Sequence, residues 1–88
     1  MRIEISGEAD EAMGKMDGSM RKRFDKHIMK IANVRPTRFL ADQNIEDVGH
    51  NDGRIIYKID LESDILFILK CFPDHKSYDK WRDSLRKG

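Results

Sequence analysis

The chain has 88 residues, 39% hydrophobic and 38% charged, with a net charge of +1. That length carries one domain, spanning 1–88, and is too short for a dinucleotide-binding Rossmann unit. The longest apolar run, Ile65 to Leu69, falls far below the ~20 residues of a membrane helix, and the start, Met1-Arg2-Ile3-Glu4, lacks the apolar stretch of a signal peptide. The expected location is therefore cytoplasmic, with no membrane partner, and the lone Cys71 excludes an internal disulfide and a multi-cysteine zinc site.

Ile3 and Ile5 alternate with polar residues and predict a short strand. Residues 7–16 predict a first helix, acidic in its first turn as the helix dipole favours. Asp17-Gly18-Ser19 is a turn signal, and Asp17 or Ser19 can cap the next helix. In that helix Met20, Phe24, Ile28 and Ile31 recur at spacings of four, four and three, a single apolar stripe. Arg21, Lys22, Arg23, Lys26 and Lys30 fill much of the remainder, and Pro36 bounds the helix. The two helices should form a hairpin.

Residues 37–52 carry few strong apolar positions, and a short strand is expected near 44–49. Residues 54–61 and 65–72 then read as two strands of a hairpin joined by Glu62-Ser63-Asp64. Pairing Leu61 with Ile65 would place Ile55, Tyr57, Ile59 and Leu61 beside Ile65, Phe67, Leu69 and Cys71 on one apolar face. Arg54, Lys58 and Lys70 would share the other face. Asp74 or Ser77 can cap a last helix of about ten residues, with Tyr78, Trp81 and Leu85 as its apolar stripe.

Charge is unevenly placed along this pattern. The balance is −3 over residues 1–18, +6 over 19–38, −5 over 39–64 and +3 over 65–88. Two basic stretches separated by an acidic one can form a face for a polyanion. No phosphate-binding glycine loop and no His-Glu-x-x-His helix is present, and His27, His50 and His75 lack metal-ligand spacing. Arg54, Lys70, His75 and Tyr78 form a different constellation. Phosphodiester cleavage needs proton transfer, which histidine suits, and cations for the developing phosphorane charge. Arginine clamps phosphate and tyrosine stacks on a base.

The helical hairpin, the strand Gly53-Arg54-Ile55-Ile56-Tyr57-Lys58-Ile59 and the run Cys71-Phe72-Pro73-Asp74-His75-Lys76-Ser77-Tyr78 together resemble the RelE/ParE superfamily of type II toxin–antitoxin toxins. The resemblance implies an α+β, RelE-like fold: an N-terminal helical hairpin on a small, mainly antiparallel sheet, with a C-terminal helix. It implies a ribosome-dependent endoribonuclease that cuts mRNA in the A site. There the 2′-hydroxyl attacks the adjacent phosphate, without a metal or other cofactor. Arg54 matches the phosphate-stabilising strand arginine, His75 the residue that assists the leaving group, and Tyr78 the aromatic residue that stacks on the substrate. Lys70 is an auxiliary cation, and Glu46 or His50 is the candidate base. Arg21, Lys22, Lys26, Lys30, Lys58 and Lys76 are the expected RNA and ribosome contacts. The expected partners are mRNA on the ribosome and a cognate antitoxin. The acidic segment before Arg54, where relatives often carry lysines, favours one alternative, a catalytically silent RNA- or ribosome-binding member. Another is a ParE-like topoisomerase inhibitor, against which His75 and Tyr78 together argue.

Overall fold

The computed structural model describes residues 1–33, 44–49 and 53–87. In chain order these form β1 (Arg2–Ile5), α1 (Gly7–Gly14), α2 (Gly18–Asn33), β2 (Asn44–Asp47), β3 (Arg54–Asp60), β4 (Ile65–Phe72) and α3 (His75–Lys87). The four strands make one sheet in the order β1-β4-β3-β2. β2–β3 and β3–β4 are antiparallel, while β1 runs parallel to β4. The expected α+β architecture, with a helical hairpin, a mainly antiparallel sheet and a terminal helix, is what the chain adopts.

Local chemistry sets the helix starts. Ser6 caps α1, its Oγ accepting from the Ala9 amide at 3.1 Å. The same hydroxyl donates to the Leu69 carbonyl at 2.7 Å, so one side chain fixes both the helix start and its position against β4. Asp17 caps α2 through the Met20 amide at 2.7 Å, and Asp74 caps α3 through the Ser77 amide at 2.8 Å. The β3–β4 turn is closed by Asp60, whose carboxylate accepts from the Glu62 and Ser63 amides.

The core lies between the helical hairpin and one face of the sheet. Ala9 and Met13 of α1 and Phe24, Ile28 and Ile31 of α2 meet Ile55, Tyr57, Ile59, Leu66, Ile68 and Cys71 of the sheet. Full burial of one such large side chain contributes about 1.5–3 kcal/mol. The backbone passes so close to Phe24 at Gly53 that a Cβ there would stand 3.1 Å from the ring and 3.3 Å from the Phe72 carbonyl oxygen. A glycine at 53 thus lets Arg54 begin its strand directly over the core.

The β3–β4 register differs from the one read in the sequence. Ile59 pairs with Leu66 and Tyr57 with Ile68, but Ile56 pairs with Lys70 and Ile55 with Cys71. Leu69 is therefore an extra residue on β4, a bulge that shifts the alternation. Before it, Leu66 and Ile68 face the core; after it, Cys71 does. Phe67 and Leu69 are correspondingly only half-buried, rather than core residues opposite Tyr57 and Ile59. The expected pairing of Leu61 with Ile65 is replaced by Asp60 with Ile65, and Leu61 is exposed. No helix among the described residues is long and apolar enough to cross a membrane.

Candidate functional site

Cross-strand partners share a sheet face, so the register decides which polar residues meet. Arg54 pairs with Asp47 on one side and Phe72 on the other, and Ile56 with Lys70. These residues lie on the face opposite the helical hairpin. Helix α3 follows β4 after a two-residue link and covers this end of the face. Phe72 meets Tyr78 edge to face at 5.9 Å and Trp81 at 5.4 Å, and Tyr78 and Trp81 stand 6.1 Å apart. The three rings anchor α3 and form the floor of the site.

Two guanidinium groups sit over that floor. The Arg54 Cζ lies 5.5 Å from the centre of the Tyr78 ring, and the Arg82 Cζ lies 5.6 Å from it. Arg54 is held by β2 and by the residue before it, donating from one terminal nitrogen to Asp47 and to the Gly53 carbonyl, both at 3.1 Å. Its side chain is largely buried while that of Asp47 is exposed. His75, at the first position of α3, is exposed and directs Nε2 at the Asp79 carboxylate, 2.7 Å away. Asp79 also pairs with Arg82 at 3.1 Å. Arg54, Tyr78, Arg82, Asp79 and His75 are thus linked contact by contact at one end of the sheet.

Lys70 is on the same sheet face as Arg54, but its ammonium is paired with Glu8 of α1. Lys58 is exposed on that face as well, and Lys76 is exposed in the first turn of α3. Arg21, Lys22, Lys26 and Lys30 are exposed on α2.

Glu46 stands apart from this site. It pairs with Ile55, one residue out of phase with Arg54, and so faces α2. There a single oxygen of its carboxylate accepts from His27 Nδ1 at 2.7 Å and from Lys30 at 2.9 Å. Burial pushes the Glu46 carboxyl up, but the hydrogen bonds and charges of His27 and Lys30 outweigh it and hold the group below the usual range. Arg23, Lys26, His27, Lys30 and Val48 line a groove of about 460 Å³ beside it. The expected grouping of Glu46 with Arg54, His75 and Tyr78 does not form, because adjacent strand residues point to opposite faces. His50, the other candidate base, lies outside the described residues.

The sequence reading did not pick out Arg82, Asp79 and Asp47 as members of the site. The i, i+4 spacings of His75 with Asp79 and of Tyr78 with Arg82 carry the signal for two of them. Asp47 needed the β2–β3 register.

Compared by sequence, the chain matches no family model and no curated protein. Compared by structure, it resembles the isolated Escherichia coli RelE toxin with a TM-score of 0.72 at 13% identity, covering 96% of this chain and 97% of that one. The archaeal RelE–RelB complex from Pyrococcus horikoshii matches with a TM-score of 0.62 at 19% identity, over 82% and 92% of the two chains. The heterotetrameric YoeB–YefM toxin–antitoxin complex from Staphylococcus aureus matches with a TM-score of 0.60 at 16% identity, over 82% and 94%. The chain thus has the fold of the RelE and YoeB toxin structures.

Proposed function

We propose that this protein is a toxin of the RelE type, a ribosome-dependent endoribonuclease that cleaves mRNA in the A site. The observation that carries the reading is the placement of two guanidinium groups, Arg54 and Arg82, over the Tyr78 ring, with the exposed His75 tied to Arg82 through Asp79. Arg54 binds the scissile phosphate and stabilises the charge that grows on it. Tyr78, with Phe72 and Trp81 behind it, offers an aromatic surface for a base. His75 gives the leaving 5′-oxygen its proton.

Because the attacking 2′-hydroxyl belongs to the substrate, this chemistry does not require a metal ion. Lys70, Lys58 and Lys76 add positive charge near the phosphate path, and the basic residues of α2, Arg21, Lys22, Lys26 and Lys30, contact RNA of the ribosome. Glu46 takes no part in proton transfer in this reading, since its carboxylate is engaged by His27 and Lys30 on the other face. A cognate antitoxin is the expected protein partner, as RelB and YefM are for the RelE and YoeB chains solved with them.

A labelled mRNA incubated with the purified protein, with and without programmed ribosomes, tests the proposal. Cuts that need the ribosome and leave a 2′,3′-cyclic phosphate agree with it. Cuts without ribosomes, or none from the folded protein, contradict it. One observation favours the second reading, a catalytically silent RNA-binding member: Asp47 already occupies Arg54. If that pair is the cause of silence, Asp47→Ala restores cleavage.

A further inference from the structure

Asp79 joins the two basic groups that flank Tyr78. It lies four residues after His75 and three before Arg82, so the three side chains share one face of α3. One carboxylate oxygen is 2.7 Å from His75 Nε2 and the other 3.1 Å from Arg82. Asp79 is the more sheltered partner, with 29% of its side chain exposed against 55% for His75.

The Asp79 carboxylate stands 2.7 Å from Nε2, and because a carboxylate can only accept, its charge favours the tautomer with the hydrogen on Nε2. Nδ1 is then the ring nitrogen free to exchange a proton, and no described residue bonds to it. Arg82 offsets the charge of Asp79, which otherwise would repel an RNA phosphate at this end of the sheet.

We propose that Asp79 is a positioning residue for proton transfer, fixing His75 so that Nδ1 and not Nε2 faces the RNA and delivers the proton. The inference rests on the ribonuclease reading given above. In the step it describes, the 2′-oxygen bonds to phosphorus and its proton passes to solvent. The phosphorus–O5′ bond breaks with its electron pair on O5′. The proton on Nδ1 of the imidazolium moves to O5′, giving a 5′-hydroxyl and a 2′,3′-cyclic phosphate. His75 is left neutral, its Nε2–H still beside Asp79, and takes up a proton from solvent for the next turnover.

Sulfur in place of the bridging 5′-oxygen tests this directly, because a thiolate leaves without a proton. Wild type and Asp79→Ala are compared on ribosome-bound mRNA with the ordinary linkage and with the sulfur linkage. Loss of an orienting partner is expected to slow the ordinary message by about 10- to 100-fold, less than or comparable to the 10²–10⁴ a general acid itself contributes. The sulfur message should be cut at a near wild-type rate. In ¹⁵N spectra the neutral His75 ring should be the Nε2–H form in the wild type and a mixture in Asp79→Ala, and the same spectra show that the variant is folded.

Equal slowing of both messages, or an unchanged ring tautomer, overturns the inference by reducing Asp79 to a structural role. Unimpaired cleavage by Asp79→Ala in the presence of active wild type overturns the inference alone. A wild type that cuts neither message overturns the ribonuclease reading and the proton delivery together.

Discussion

Tyr78 is both a residue of the proposed site and a structural one, and its replacement by alanine should unfold the site before it tests the chemistry. The ring is 9% exposed and touches Phe72, Trp81, Arg54 and Arg82. Truncating a buried aromatic residue to alanine costs about 3–5 kcal/mol. A chain of this size has a total stability of roughly 4–13 kcal/mol at the usual 0.05–0.15 kcal/mol per residue. Tyr78→Ala therefore removes a large share of it, and the urea midpoint should fall by roughly 2 M at a typical small-protein slope. Tyr78→Phe keeps the ring and should stay within about 1 kcal/mol of the wild type. Trp81, the single tryptophan of the chain, stands 6.1 Å from the Tyr78 ring and reports the change by fluorescence. An unchanged midpoint in Tyr78→Ala would refute the argument that this ring fixes α3 to the sheet.

Three further outcomes follow from local chemistry. Ser6→Ala loses the cap of α1 and the bond to the Leu69 carbonyl, a loss of about 1–2 kcal/mol in urea titration. The Glu46 carboxyl is held below its usual 4.5, so its contribution is present above that pH and lost as pH falls through the lower folded value. The stability gap between the wild type and Glu46→Gln, about 1–2 kcal/mol at neutral pH, should thus close in acid; urea titrations on either side of pH 4.5 measure it. Burial, aided by the nearby charge of Asp25, pushes the Cys71 thiol up to about 12, so a thiol reagent at pH 8 should label it only after unfolding.

Much of the fold was legible because periodicity is a backbone-level signal. The stripe of Phe24, Ile28 and Ile31 marks α2, and the runs before and after Glu62-Ser63-Asp64 mark β3 and β4. The register was not legible, since residues 65–69 are all apolar and give no alternation to count. The bulge at Leu69 therefore left no trace in composition, although it decides that Phe67 leaves the core and Leu66 enters it. The parallel pairing of β1 with β4 was hidden for a related reason: four residues cannot announce a partner.

In the candidate site, Arg54, His75 and Tyr78 are proposed from the residue types and the family resemblance, and the structure sets Arg54 beside Tyr78. The separation of Glu46 from Arg54 could not, because it depends on which face of β2 each residue occupies. Asp47 and Glu46 are adjacent in the chain, yet one pairs with Arg54 and the other with His27 and Lys30.

Arg54 is proposed to serve cleavage of mRNA on the ribosome. Primer extension on a defined messenger in a cell-free translation reaction tests it most directly, comparing the wild type with Arg54→Ala. New 5′ ends are expected at A-site codons with the wild type and none with an Arg54→Ala protein that remains folded. New ends that persist in that variant, or none with the folded wild type, would contradict it.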